Sequence, residues 1–374
     1  MRILFCSINP LRTDLGAPKV LIEVAGAMER LGCECTLIDA DALVPGASSR
    51  PWDRVAYTRA LRAHLAEHAG RFHAVEYDHV HLPFARREFA ARTLFVARSV
   101  LLIHHFTPRP YPVPLRARVG ELVRRERRRE HARAVDAATR TVREADVVNV
   151  ANDDDRTELV RRGVEPERIA VLPYGLAAER RRALEVPSAP PPAEPVVGFV
   201  GSFDYRKGAL DFPRIVRAVA AEVPAVRFRL VGTNGLMRSA EQVLGRFPAE
   251  LRGRVEVIPS FAPDELPGLL RDVSVGIFPS YVEGFGIGVL EMLAASVPVV
   301  AYRAPGPPMM LPPELLVEPG RAEEAGARVA ALLRDRERLW EMREWARHRA
   351  ADFDWSSIAR DTLARYEQAR ARLG

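Results

Sequence analysis

Phe278-Pro-Ser-Tyr-Val-Glu283-Gly-Phe-Gly-Ile-Gly-Val-Leu-Glu291 is the stretch on which the reading of this 374-residue chain turns. Val273–Phe278 reads as a buried strand that runs into Pro279 and Ser280, and Gly288–Ala295 reads as a helix. Gly284, Gly286 and Gly288 lie between them. Glycines there let backbone N–H groups approach a ligand, and the N-terminus of the following helix favours an anion. Glu283 precedes the turn, and Glu291 lies about one turn into the helix, so both carboxylates can point at one pocket. Carboxylates accept hydrogen bonds from hydroxyl groups. Phosphate on the N–H groups and sugar hydroxyls on the two acids account for the whole string better than a corner with two solvated acids.

The same domain opens on a second turn of this kind, Gly198-Phe-Val-Gly201-Ser-Phe-Asp-Tyr-Arg206-Lys207-Gly208. A strand ends at Gly201, and the loop carries two adjacent cations to a helix start. No Gly-Lys-Ser/Thr follows the strand, so this is not a P-loop. The glycine spacing and the lack of a ribose-marking acid also make it a poor dinucleotide fingerprint. The chain has only two lysines, Lys19 and Lys207. A lysine is a compact point charge suited to a phosphate oxygen. Chance survival in an arginine-rich sequence accounts for Lys19, whereas Lys207 sits where a diphosphate would need it.

Outward from these turns, strands at Val196–Val200, Arg227–Val231, Arg254–Ile258 and Pro298–Ala301 alternate with helices at Ala209–Ala221 and Asp264–Arg271. The first half repeats the scheme. Strands are expected at Arg2–Cys6, Cys35–Ile38, Ala74–Val80, Val100–His104, Asp146–Val150 and Arg168–Leu172, with a helix over Pro18–Leu31. Such alternation predicts two α/β domains, each a doubly wound parallel sheet covered on both faces. Prolines 187, 190, 191, 192 and 195 make a stiff linker. The expected division is 1–186, linker 187–195, then 196–351, with a final amphipathic helix within 352–374. Ligands of such sheets sit at strand carboxyl ends, here in a cleft between the domains.

Composition narrows the classes. A hydrophobic fraction of 48% and a charged fraction of 28% are those of an ordinary globular chain. No apolar run approaches the ~20 residues of a membrane span, and the start lacks a small-residue cleavage site. The expected compartment is the cytoplasm. Cys6, Cys33 and Cys35 give neither a disulfide framework nor a zinc spacing. The net charge of +6 and a pI near 9.5 admit nucleic acid, an anionic membrane or a phosphorylated ligand.

With these residues quoted, the sequence resembles the GT4 family of retaining glycosyltransferases with the GT-B fold. The resemblance covers most of the chain and is strongest from Val196 to Tyr302. It implies two Rossmann-like domains facing a cleft, a nucleoside-diphosphate sugar as donor (UDP- or GDP-linked), no cofactor and no metal. It implies that Glu283 is a catalytic residue that binds donor-sugar hydroxyls and orients the sugar, that Glu291 binds the ribose, and that Lys207 binds the diphosphate. Main-chain groups of Gly284, Phe285, Gly286, Ile287 and Gly288 would hold the phosphates. Ser202 stands where the family has an arginine, and Arg206 is the candidate to supply that charge. Ala304-Pro-Gly306 replaces the family's Gly-Gly turn. Leu15-Gly16-Ala17 resembles the family's glycine loop, which reaches the donor phosphates from the first domain. His104 or His105 corresponds to a catalytic histidine near the donor sugar; the sequence leaves the choice open. The final helix would pack back on the first domain.

Three further segments carry polar groups. Glu76–His81 reads either as acceptor lining or as a solvated loop. Asn152-Asp-Asp-Asp155 reads as a helix cap rather than a metal cluster. The arginine-rich run 116–133 reads as a solvated helix face with i,i+4 pairs, or as contact with an anionic membrane carrying a lipid acceptor. It lacks the aromatics and motifs of nucleic-acid binding. The expected reaction moves a sugar to the hydroxyl of a small molecule, polysaccharide or lipid. Rival readings are a sugar-nucleotide epimerase of the same fold and a nucleotide-sugar-binding protein without turnover. A nicotinamide-dependent dehydrogenase is the weakest of the rivals.

Overall fold

The computed structural model describes residues 1–12, 16–47, 54–115, 125–185 and 194–373. Leu15 of the glycine loop, residues 116–124 of the basic run and 187–193 of the linker lie outside the described residues.

The described chain forms two compact units. The first runs to Thr107, continues to Gly175 and takes in the chain from Asp354 onward; the second holds Pro108–Leu115 and Leu176–Phe353. The boundary falls at Gly175 rather than near residue 186, so the helix Ala178–Leu184 belongs to the second unit.

The first unit is a six-stranded sheet in the order β2-β1-β3-β4-β5-β6. Its strands are β1 (Arg2–Cys6), β2 (Glu34–Ile38), β3 (Ala74–Asp78), β4 (Leu94–Arg98), β5 (Val147–Val150) and β6 (Ile169–Val171). Every pairing is parallel. Helices α1 (Gly16–Arg30), α2 (Arg54–His68), α3 (Arg125–Glu144) and α4 (Asp153–Arg161) connect the strands. Asn152 caps α4, its side-chain oxygen accepting the Asp155 N–H at 2.8 Å, which satisfies a donor the helix itself leaves free.

The expected strand at Val100–His104 is absent. The strand is β4, and Ile103–Phe106 is a short 3₁₀ turn. Two apolar runs lie side by side in the sequence, and pairing with β3 decides between them. In the observed register Asp78 faces Arg98, and the Arg98 guanidinium grips Glu76 of β3 through two bonds of 2.5 and 3.0 Å.

The second unit has the order β12-β11-β10-β7-β8-β9, again parallel throughout. Its strands are β7 (Val196–Val200), β8 (Arg227–Val231), β9 (Val255–Ile258), β10 (Val273–Phe278), β11 (Val299–Tyr302) and the two-residue β12 (Leu316–Val317), which the sequence did not announce. β7 and β10 are buried at every position, as expected for strands covered on both faces. The principal helices are α5 (Ala178–Leu184), α6 (Phe212–Glu222), α7 (Ile287–Ala294), α8 (Ala322–Arg334) and α9 (Arg336–Ala351). The expected helix Asp264–Arg271 divides into a 3₁₀ turn, Pro263–Glu265, and a helix over Leu266–Leu270. Pro267, which has no N–H to give, is tolerated only in the first turn.

The final helix, α10 (Trp355–Arg370), belongs to the first unit and packs against α1. Trp355 donates its indole N–H to Glu23 at 2.7 Å. The Tyr366 hydroxyl is buried between Glu76 and Asn149.

Candidate functional site

A parallel sheet reverses its winding at one point, and the strand carboxyl ends beside it diverge to leave a crevice. In the second unit that point lies between β7 and β10. The loops after these two strands are the two turns singled out in the sequence, so the topology itself brings them together.

Loop 201–208 is held from within by Asp204, which accepts the Ser202 hydroxyl at 2.8 Å and the Lys207 N–H at 3.0 Å. It is pinned to the other loop by two reciprocal bonds. Tyr281 donates its N–H to the Arg206 carbonyl at 2.8 Å, and Arg206 donates to the Val282 carbonyl at 2.9 Å. Gly208 has φ +83°, and a Cβ there would stand 2.3 Å from the Pro279 carbonyl oxygen, so only glycine allows this approach. Lys207 then reaches over the Phe278 ring, 4.9 Å from its centroid, and its Nζ lies 2.5 Å from Glu283 Oε1. Arg206 is 3.4 Å from the same oxygen.

On the other side of Glu283, Gly284 and Phe285 lead to Gly286, whose left-handed backbone (φ +95°) turns the chain into α7. Ile287 and Gly288 open that helix, and the first N–H groups of a helix have no acceptor inside it. Gly288 abuts the end of β7, since a Cβ on it would come within 2.6 Å of the Val200 carbonyl oxygen. Glu291 lies in the second turn of α7 and is buried, 7% exposed. The result is one corner carrying two acids, two cations and a helix N-terminus.

Asp211 supports this corner from below. The buried carboxylate accepts the hydroxyls of Tyr281 at 2.6 Å and Tyr302 at 2.9 Å. Burial, with Asp211 beside them, pushes both phenols above their ordinary range.

In the first unit the winding reverses between β1 and β3. A small cavity there, about 30 Å³, is lined by Ser7, Asn9, Ala17, Glu76, Asp78 and Arg98 among others. Gly16 begins α1 beside Ala17, in open surroundings. His79 and His81 are buried, and Asp78 lies 3.3 Å from His79, so the segment Glu76–His81 is buried wall rather than solvated loop. His104 is 1% exposed, with Nε2 3.0 Å from the Thr139 hydroxyl. His105 keeps a partly exposed ring whose Nε2 lies 2.7 Å from the buried Asp155.

Two family models divide the chain. One described as "Glycosyl transferase 4-like domain" matches residues 16–175, and one described as "Glycosyl transferases group 1" matches residues 194–335. This chain belongs to the GT4-type glycosyltransferases. Among curated relatives of this glycosyltransferase, D-inositol 3-phosphate glycosyltransferase of Segniliparus rotundus is 31% identical over 225 residues, 55% of this chain and 48% of that protein. The same-named protein of Mycobacterium tuberculosis is 32% identical over 250 residues, 61% of this chain and 50% of that protein. The aligned region thus spans about half the length of these relatives. Among solved structures, sucrose-phosphate synthase from Thermosynechococcus elongatus superposes with a TM-score of 0.74 at 21% identity, covering 99% of each chain. Anabaena HepE in complex with UDP-glucose gives 0.67 at 18% identity, covering 97% and 99%. These likenesses show the GT-B fold.

Two residues in contact with the corner carry no signal in the sequence. Arg180 of α5 lies 3.1 Å from Glu291 although 111 positions separate them in the sequence. Asp211 stands between two tyrosines that follow it by 70 and 91 residues. Neither carries a motif. Among the described residues no group of three or more His, Cys, Asp or Glu is arranged to hold a metal ion, and no helix is long and apolar enough to cross a membrane.

Proposed function

We propose that this glycosyltransferase moves a sugar from a nucleoside-diphosphate sugar to an acceptor hydroxyl, keeping the anomeric configuration and needing no divalent ion. One observation carries the reading: Lys207 Nζ and Glu283 Oε1 meet at 2.5 Å beside the start of α7. Bond cleavage leaves negative charge on the departing diphosphate. Lys207, Arg206 and the N–H groups at Gly286–Gly288 are fixed partners for that charge and can take the part a metal plays elsewhere. Glu283 would orient the sugar through its hydroxyls, and Glu291 would take the ribose. Retention rests on the family resemblance. The UDP complexes of Anabaena HepE favour a uracil nucleotide. The names of the curated relatives put phosphorylated inositols first among acceptors to try, followed by polysaccharide and lipid-linked sugars.

The test is acceptor-dependent release of UDP or GDP, with the product's anomeric configuration read by NMR. Lys207→Ala and Glu283→Ala should each lower turnover by about 10²-fold or more, and excess EDTA should leave the wild-type rate unchanged. Near-normal turnover in either variant would remove the assignment. Release without acceptor would favour the epimerase, and tight donor binding with no turnover would favour the binding protein.

A further inference from the structure

Arg180 lies outside every motif of the chain. It belongs to α5, a seven-residue helix packed in the second unit against α7 and the Leu266–Leu270 helix. Its side chain is 14% exposed and bridges α7 of the corner and the turn at Pro263. One guanidinium nitrogen lies 3.1 Å from Glu291 Oε1, and another donates to the Pro263 carbonyl in the loop after β9. Its Nε is buried without a hydrogen-bond partner.

A buried ion pair is weak ground for stability, because desolvating both charges offsets much of their attraction. An unpartnered donor on the same group makes the arrangement more costly still. A well-packed apolar residue would hold α5 against α7 at least as well. What an arginine adds is direction. Glu291 offers two carboxylate oxygens with about four lone-pair sites. A guanidinium fixed to Oε1, and itself fixed by the Pro263 carbonyl, stops the carboxylate from turning.

We infer that Arg180 is a positioning residue for ribose recognition: it locks Glu291 at the angle that meets the 2′- and 3′-hydroxyls of a ribonucleotide. This rests on the donor-site reading given above. A carboxylate held before binding loses no side-chain freedom when the diol arrives. The inferred role is therefore in donor affinity and in discrimination between ribose and 2′-deoxyribose, not in the chemical step.

The experiment measures dissociation constants of UDP, GDP and their 2′-deoxy counterparts by calorimetry on the full chain, with donor KM and kcat alongside. The wild type should prefer the ribonucleotide about tenfold, the scale of one hydrogen bond to a charged group. Arg180→Met keeps the aliphatic stem and removes the charge. It should weaken ribonucleotide binding about tenfold, change 2′-deoxynucleotide binding less than about twofold, and raise donor KM with kcat nearly unchanged. Arg180→Lys keeps the charge but not the planar fork and should give an intermediate ratio. In Glu291→Gln the same Arg180 substitution should have little further effect on the ratio. A ribose-to-deoxyribose ratio unchanged in both Arg180 variants overturns the inference while leaving the donor site standing. Failure of the wild type to bind any of the four nucleotides removes the donor-site reading and this inference with it. Should Arg180→Met not fold, the lysine variant alone decides through the same ratio.

Discussion

At the residue scale, His104 and His105 are adjacent in sequence and opposite in surroundings. The Thr139 hydroxyl donates to the Val135 carbonyl at 2.8 Å, so its lone pair faces His104 Nε2, which must carry the proton. Nδ1 is then a bare, buried acceptor without a partner. Burial pushes His104 down to about 3, and His81 down to about 4. The unfolded chain protonates both near the ordinary value of about 6.5, so between about pH 4 and 6.5 the unfolded state binds more protons. The stability these residues contribute is complete above that range and falls as pH drops through it, by up to about 1.4 kcal/mol per pH unit for each. Urea midpoints taken from pH 7.5 to 5.0 should decline, and His104→Asn should flatten the decline. His105, by contrast, is oriented by Asp155 and reaches the surface. It is the better candidate for the family's catalytic histidine: His105→Ala should cut turnover while leaving the urea midpoint near wild type. The reverse pattern, with His105→Ala active and unstable, would return the role to His104.

At the scale of elements, the corner depends on how closely loop 201–208 lies on Pro279. Gly208→Ala must place a Cβ where the Pro279 carbonyl stands and hold a left-handed backbone, a strain of roughly 1–3 kcal/mol. Donor affinity and thermal stability should fall together. Gly268→Ala is the control, because nothing lies within 4 Å of its would-be Cβ. In a helix it should stabilise by about 0.5–1 kcal/mol and leave donor binding alone. Equal behaviour of the two variants in differential scanning calorimetry would refute this account of the corner. The same elements show what the sequence could carry. β1, β7, β8 and β10 have the bounds the sequence predicts; β7 and β10, buried at every position, have no polar alternation to blur them. β4 was displaced by six residues because Leu94–Ala97 and Val100–Ile103 are equally apolar; only the buried Arg98–Glu76 pair, a contact between strands, selects the first. Glu283, Lys207 and the glycines stood out as candidates because each lies in a glycine-rich turn between a strand and a helix, although Lys207 and Glu283 meet across 76 positions. Arg180 and Asp211 did not stand out, because no such turn marks them and their partners lie 111 and 70 or more positions away. The prolines drew the boundary to residue 187, while packing on α7 assigns α5, just before them, to the second unit.

At the scale of the whole molecule, the chain leaves its first unit at Gly175, builds the second and returns at Asp354. The first sheet is therefore completed by the last sixteen-residue helix. That return is not a loose strap. Trp355 is buried and donates to Glu23 of α1, its ring tilted by 33° to that of Tyr174 with centroids 6.2 Å apart. Tyr366, buried without exposed surface, supplies the hydroxyl that Glu76 and Asn149 share. Removing that hydroxyl takes one of two donors from Glu76 Oε2, which keeps Arg98, and leaves the buried Asn149 amide without its acceptor, a loss of roughly 1–3 kcal/mol. Glu76 also anchors Arg98, so the loss should spread along β3, β4 and β5 rather than stay on α10. Proteins open in contiguous cooperative blocks, and the two units share no strand. Hydrogen exchange on full-length Tyr366→Phe should therefore show lowered protection in α10 and in β3 to β5, with β7, β8 and β10 close to wild type. Lowered protection spread evenly over both sheets would mean that the chain opens as one block. Protection lost from α10 alone would mean that the Glu76 cluster stands without it, and that the returning helix only covers the first unit instead of completing it.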